Sequence, residues 1–409
     1  MSLKPITISN VNKKKVEESP HLEIAKSVGF NIYKSSKKQP SRFINFLKDK
    51  REVYLSEKES GIDVDGKYKK FIHRGQRKLL LSEVDFLVRE WKYIKKTINK
   101  KKMSNNDSIP IVLYIGAAPG THITLLASMF PKFEYHLYDK VKYSPTLIQY
   151  SKNPNFKIKL FNEYFTDELA HKYTEMNRPI IMITDIRGLE IRKIKKSSNL
   201  NYNPLYDTIV DDDMIKQMEW YSIMMPITAL FKFRLPWQDK ITKYLDGKVY
   251  FQCWQGGFST ESRLIPTHNT ERENIAYTEY SNKQYEQIMY YFNTHNRVTY
   301  YPHDIPYYGH CYDCISEINI LRSYLQLFEK EFDLLNINKI WEEHSKEITP
   351  THFDSFTKNN KTNKNNKKGG RKDEKNIPND MNNRIYKLGC LISKHIKAKL
   401  FPEVPSGKL

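Results

Sequence analysis

Cysteine is scarce in this chain: four in 409 residues. That is too few for a disulfide framework and points to a reducing compartment. No stretch approaches the roughly 18 uninterrupted apolar residues of a spanning helix, so no membrane span is expected. The first twenty residues carry Lys4, Lys13, Lys14 and Lys15 but no apolar run of the kind a secretory leader needs, and none is expected. Acidic residues are also in short supply, with 47 Asp and Glu against 67 Lys and Arg, a formal charge of +20. A polyanion is the expected partner, and RNA, DNA and an anionic membrane surface all fit that charge. Apolar residues (39%) and aromatics (13%) suffice for a sizeable core, which excludes a wholly disordered chain.

Composition divides the chain. Residues 1–50 hold 11 Lys or Arg against 4 acids, with Pro5, Pro20 and Pro40 scattered among them. Residues 1–53 therefore read as a basic, loosely structured extension. Residues 54–345 carry the patterned region. Within 355–384, the run at 358–376 has no apolar residue and reads as a disordered basic linker. Beyond it, Ile385, Leu388, Ile392 and Ile396 fall on one helical stripe, so 385–401 reads as a basic amphipathic helix. It either docks on the body or meets a partner, RNA or membrane surface. Both basic ends are expected to add salt-dependent RNA affinity.

In the patterned region, Leu80, Val84, Leu87, Trp91 and Ile94 step by four and three, which predicts a helix over 76–96. A short apolar, β-branched run ending in glycine at 109–116 predicts a buried strand, and the segments at 133–139, 179–185, 228–234 and 248–254 predict further strands. Helical patterns at 122–130 and near 212–224 separate some of them. Strands alternating with helices imply βαβ units and a mostly parallel, doubly wound α/β sheet.

In such sheets ligands sit beyond the carboxyl ends of the strands. The first strand ends in Gly116-Ala117-Ala118-Pro119-Gly120-Thr121-His122. This is neither a P-loop, for no Gly-Lys-Ser/Thr follows, nor a GxGxxG fingerprint. Asp139, 23 residues after Gly116 and at the end of the second strand, is placed to accept hydrogen bonds from ribose hydroxyls. A nucleoside held without a phosphate grip suggests S-adenosylmethionine. The third strand ends in Asp185, with Arg187 after it. The fourth carries Lys232 inside an apolar run; a lysine there needs a partner, unless the strand is an edge. Ser259 to Leu264 and Lys78 bring further charge, and spacing alone leaves open whether two lysines and two acids share one cleft.

The segments GQRKLLLSEVDFL, VLYIGAAPGTHI, IIMITDIRG, LFKFRLPWQD, STESRLI and QYEQIMYYFN together resemble the poxvirus-type cap-specific mRNA nucleoside-2′-O-methyltransferases. The resemblance runs in order over roughly residues 54–330. It implies a Rossmann-like methyltransferase that uses S-adenosylmethionine to methylate the first transcribed nucleotide of m7G-capped mRNA. The catalytic tetrad it implies is Lys78, Asp185, Lys232 and Glu261. The cofactor contacts it implies are Gln76, Tyr114, Gly116, Ala118, Pro119, Gly120, His122, Asp139, Asp185 and Arg187. Cap recognition would fall to Trp237, Asp239 and Glu286, with Tyr54 as the second stacking aromatic. Trp237 stands where the family has Phe, and Val141 where it has an Arg beyond the ribose acid, which weakens that part of the cofactor grip. The family also doubles as a regulatory subunit of poly(A) polymerase. The catalytic subunit of that enzyme is thus an expected partner, and a viral factory in the host cytoplasm, with packaging in the virion, the expected location.

The chemistry agrees with these residue types. Methyl transfer to a ribose hydroxyl needs a partly deprotonated oxygen, and a lysine of ordinary pKa is a poor base at neutral pH. Burial and a second cation, Lys78, should lower the pKa of Lys232, while Asp185 and Glu261 position it and limit the shift. No metal is expected, because the leaving group is a neutral thioether. Cys311-x-x-Cys314 with His303 and His310 nearby is a weak zinc signal, since a lone CxxC lacks two ligands of suitable spacing. Two rival readings stand beside the capping one: a non-catalytic RNA-binding accessory of poly(A) polymerase, and a 2′-O-methyltransferase of ribosomal or transfer RNA.

Overall fold

The computed structural model describes residues 19–27, 32, 34–35, 40–44, 74–100, 109–188, 204–256, 259–305, 308–331 and 381–396. Nine strands are described: β1 (Ile111–Ile115), β2 (Glu134–Tyr138), β3 (Ile158–Phe161), β4 (Ile180–Thr184), β5 (Thr228–Phe233), β6 (Ile241–Leu245), β7 (Gly247–Tyr250), β8 (Ser262–Pro266) and β9 (Tyr277–Ser281). The helices are α1 (Pro20–Ser27), α2 (Gly75–Lys100), α3 (Ile123–Met129), α4 (Pro145–Ser151), α5 (Asp167–Glu175), α6 (Pro204–Met224), α7 (Asn282–Tyr291), α8 (Tyr312–Glu331) and α9 (Met381–His395).

Seven strands form one sheet in the order β3-β2-β1-β4-β5-β8-β7, and β6 pairs with β9 in a small second one. The strands from β3 to β5 run parallel, while β8 lies antiparallel between β5 and β7. Every residue of β1 and β4 is buried, as expected where helices cover both faces of a parallel sheet. The fold is α/β, doubly wound and Rossmann-like. The strand order reverses between β1 and β4, and the crevice at that reversal is where ligands enter such sheets.

Four strands escaped the sequence reading. In β3 the burial falls away after Ile158, so the edge strand shows no apolar run. Arg263 interrupts the apolar pattern of β8, and β6 and β9 mix exposed, half-buried and buried residues. The strand expected over 248–254 ends at Tyr250. Beyond it the Asp313 carboxylate accepts the Trp254 backbone N–H at 2.6 Å, and Trp254 takes a left-handed backbone with φ 60°. The chain is drawn out of the sheet there.

The extension over residues 1–53, expected to be loosely structured, is built into the body at several places. Buried Arg42 pairs with Asp85 of α2 at 2.7 Å. Phe43 forms an antiparallel bridge to Tyr250, and the Ile44 N–H donates to the Val249 carbonyl at 2.8 Å. Farther upstream, His21 meets Asp313 at 2.6 Å. The linker at 358–376 and the residues after 396 lie outside the described residues. Helix α9 starts at Met381, four residues before the expected Ile385, and buries Ile385, Leu388 and Ile392.

Gly116 closes β1 with φ +84°, and a Cβ there would lie 2.8 Å from the Asp185 carbonyl carbon and the Ile186 nitrogen. The substitution Gly116→Ala therefore meets both backbone strain and a collision with the neighbouring strand end. It is expected to lower unfolding stability by roughly 1–3 kcal/mol. Thermal or denaturant unfolding checks this; a parent-like midpoint would show that the turn relaxes without cost.

Candidate active site

The glycine turn is held from both sides. The Gly116 and Ala117 N–H groups donate to the Tyr138 carbonyl at 2.9 and 3.2 Å, and the Asp185 N–H donates to the Ile115 carbonyl at 2.9 Å. The partly buried Asp139 carboxylate accepts from the Ala118 N–H and the Val141 N–H, both at 2.8 Å. Each oxygen keeps further lone-pair capacity toward the crevice, which is what a nucleoside's ribose hydroxyls require. Gly120 also has positive φ, +65°, and a side chain there would strike Leu147 and the Ala117 carbonyl. The turn thus presents backbone to the crevice, and its donor set fits a nucleoside cofactor.

Beneath the turn lies a buried polar chain. The Gln76 carbonyl oxygen faces the Thr121 hydroxyl at 2.7 Å and His122 Nδ1 at 2.8 Å. His122 Nε2 faces Glu83 Oε1 at 2.9 Å, and the Tyr114 hydroxyl donates to that same oxygen at 2.8 Å. Tyr114 and His122 are fully buried, so their polar atoms fasten the turn to α2.

Lys78, Asp185, Lys232 and Glu261, which spacing alone could not bring together, meet in one cluster. Lys78 Nζ lies 2.5 Å from Glu261 Oε1, and Lys232 Nζ lies 3.1 Å from Asp185 Oδ1 and 3.5 Å from Glu261 Oε2. β5 is not an edge strand, since β4 and β8 flank it, and Lys232 is only 10% exposed. Two arginines complete the cluster. Arg187, implied as a cofactor contact, bonds Glu261 Oε2 at 3.1 Å. Arg263 bonds Asp185 Oδ1 at 2.8 Å and accompanies Glu261 Oε1 at 3.4 Å. Sequence reasoning missed Arg263; the available signal was an arginine one step inside an apolar strand. Gln252 donates to Glu261 Oε1 at 3.2 Å and accepts from Arg263 Nε at 2.9 Å.

These contacts set the protonation states. Burial lowers the pKa of Lys232 below the usual lysine value; Asp185 and Glu261 oppose that, and Arg187 and Lys78 add to it. Burial works against the charged form of Asp185, but Lys232 and Arg263 outweigh it and hold the carboxyl below its ordinary range. Burial opposes the Glu261 carboxylate in the same way, yet Lys232, Lys78 and the two arginines hold it well below. Two ionised acids and three other basic side chains thus surround a lysine biased toward its neutral form.

The cap-pocket residues gather less completely. The Trp237 backbone N–H donates to Asp207 at 3.1 Å, and the Arg234 guanidinium sits 5.9 Å from the indole centroid. Asn282, at the start of α7, donates to the Pro236 carbonyl at 3.1 Å and ties that helix to the Trp237 loop. Half-buried Glu286 lies one turn further along the same face. Asp239 is exposed, and Tyr54 lies outside the described residues. His303 and His310 are not grouped with Cys311 and Cys314: His303 Nε2 faces the Gly309 carbonyl and its Nδ1 accepts the Ile305 N–H, while His310 Nδ1 faces the Tyr301 carbonyl. His21 does approach Cys311, at 3.7 Å, and Asp313. The 2.6 Å His21–Asp313 contact is a hydrogen bond, shorter than the roughly 3.3 Å between two nitrogen or oxygen ligands of a tetrahedral zinc.

The profile of the poly A polymerase regulatory subunit family matches residues 41–348. The chain belongs to that family. The cap-specific mRNA (nucleoside-2′-O-)-methyltransferase of fowlpox virus (strain NVSL) is 26% identical over 308 residues, 72% of this chain and 88% of that protein. The myxoma virus (strain Lausanne) protein of the same name is 25% identical over 258 residues, 60% of this chain and 69% of its own. The solved structure of bluetongue virus VP4, described as a multifunctional RNA-capping production line, aligns with 52% of this chain and 30% of that one, at 14% identity and a TM-score of 0.30.

The geometry of the cluster predicts a pH behaviour. A lysine that must be neutral to accept a proton gives a rate that rises with pH through its pKa. Removing the nearby cation in Arg187→Gln raises that pKa, so the acid limb of kcat/KM should move to higher pH. Removing the attracting carboxylate in Glu261→Gln should move it lower. Limbs that stay fixed in both variants would detach Lys232 from the profile.

Proposed function

We propose that this protein transfers a methyl group from S-adenosylmethionine to the ribose 2′-hydroxyl of the first transcribed nucleotide of m7G-capped mRNA. The observation that carries this reading is the meeting of Lys78, Asp185, Lys232 and Glu261 beside a glycine turn with a ribose-type acid. The names of the fowlpox and myxoma relatives support it.

When bound, the cofactor supplies an electrophilic methyl on a sulfonium. Asp139 and the backbone of the Gly116–Gly120 turn are the groups that would hold its nucleoside, with Gln76 beside them. Lys232 Nζ accepts the proton that the 2′-hydroxyl loses as its oxygen gains the methyl carbon. Asp185 and Glu261 fix the amine between them and complement the ammonium that forms. Lys78 and Arg187 keep Glu261 in place, and their charge favours an oxygen that is becoming negative.

Trp237 and Glu286 are proposed to bind the cap. N7-methylguanine is cationic, so it stacks on an indole more strongly than neutral guanine, by about 0.5–2 kcal/mol. A carboxylate accepts from the guanine N1 and exocyclic amine. The family description also supports a second role, as a partner of a poly(A) polymerase catalytic subunit.

Lys232→Ala and Lys232→Arg should both abolish methyl transfer while leaving S-adenosylmethionine affinity near parent. Near-normal turnover by the Arg variant would show that charge rather than basicity is used. Trp237→Ala and Glu286→Ala should raise the Michaelis constant for capped RNA about tenfold, in line with a contact worth 1–2 kcal/mol, with turnover at saturation little changed. Labelled methyl transfer onto capped and uncapped RNA, with and without the N7-methyl, decides the substrate. Equal rates on all three would remove the cap from this reading.

A further inference from the structure

Lys78 and Gln76 flank Arg77, a fully buried arginine. Its guanidinium bonds Glu317 of α8 through both oxygens, with Nε to Oε2 at 2.8 Å. The same guanidinium reaches the C-terminal helix α9: Nη1 donates to the Ser393 hydroxyl at 2.8 Å and Nη2 to the Gly389 carbonyl at 3.3 Å. The Ser393 hydroxyl in turn donates to that carbonyl at 3.0 Å.

Glu317 reaches the other side of the active site as well. Its Oε2 accepts the Trp254 indole N–H at 2.7 Å, and its Oε1 accepts the Tyr308 hydroxyl at 2.7 Å. Trp254 lies two residues after Gln252, which holds Glu261. The Lys78–Glu261 pair is therefore backed on both sides by one buried carboxylate, and that carboxylate shares its arginine with α9. Two further fits lock the helix down. A Cβ at Gly389 would lie 2.0 Å from the Tyr308 hydroxyl, and His395 Nε2 lies 2.6 Å from the hydroxyl of Thr124, on the helix after the glycine turn.

We propose that α9, which lies outside the family match at 41–348, is a positioning element for the catalytic helix: through Arg77 it fixes the first turn of α2 and so the places of Gln76 and Lys78. The other observation that fits is the stripe of Ile385, Leu388 and Ile392, all buried; the helix is seated on the body by an apolar face and read by one arginine. Its kinetic half rests on the function proposed above. Its structural half does not.

The test uses full-length protein and hydrogen exchange. Gly389→Val forces Tyr308 off its place, and Ile392→Asp undocks α9 without touching Tyr308. In both, amides of residues 76–80 should exchange at least tenfold faster, while those of β1 and β4 keep parent rates. Ser393→Ala should accelerate the same amides about threefold, and Ser393→Thr, which keeps the hydroxyl, should restore them. Turnover should fall in step with that exchange, with the Michaelis constant for RNA within twofold of parent. Parent rates at 76–80 while residues 381–396 exchange freely would overturn the proposal, and so would equal acceleration in β1 and β4, which would make α9 a general support of the fold. If the parent itself transfers no methyl group, the proposed function falls, and the exchange measurements still decide whether α9 positions α2.

Discussion

Glu261 is the constraint on which the site depends. Four basic side chains and one further acid surround it, and without its charge those cations would face one another in a poorly hydrated space. Buried like charges at a few ångströms repel by several kcal/mol at the effective dielectric of protein sites. The register of β8 makes the arrangement possible. Arg263 stands opposite Lys232 across the antiparallel pair, a placement that repels on its own. Asp185 Oδ1 resolves it by bonding both, at 2.8 and 3.1 Å. A slip of one residue would turn Arg263 to the other face and leave Asp185 and Glu261 with fewer cations than their burial demands.

Much of this was legible in the sequence because it follows from local rules. Apolar runs ending in Gly116 and Asp185, with the mixed segment ending in Asp139, announced parallel strands and the end of the sheet where ligands bind. Lys232, a lysine inside such a run, announced a paired charge. What was not legible depends on contacts distant along the chain. The roles of Arg187 and Arg263 follow from where β8 lies, and β8 itself carries too polar a pattern to be read. The same holds for Tyr114 and His122, whose polar atoms turn to Glu83 rather than outward.

The chain ends show the limit of composition. Net charge and prolines made residues 1–53 look like a loose extension, yet Arg42 finds Asp85 and His21 finds Asp313. Charge excess over fifty residues says nothing about one arginine that meets a buried carboxylate. The apolar stripe of α9 was readable, but its seat was not, because the selecting features are a glycine against Tyr308 and a guanidinium donated from α2.

The bridge from Phe43 to Tyr250 has a consequence for self-association. An outer strand offers unsatisfied amides and carbonyls to any extended chain that comes near, and proteins suppress this by covering the rim. Here the chain covers its own: the Ile44 and Phe251 N–H groups bond the Val249 and Arg42 carbonyls across the rim of β7, both at 2.8 Å. A strand from a second copy would have to displace those residues, and with them the Arg42 anchor on α2. That part of the rim is closed to strand exchange, and among the described residues the opposite edge of the sheet is the short, lysine-bearing β3.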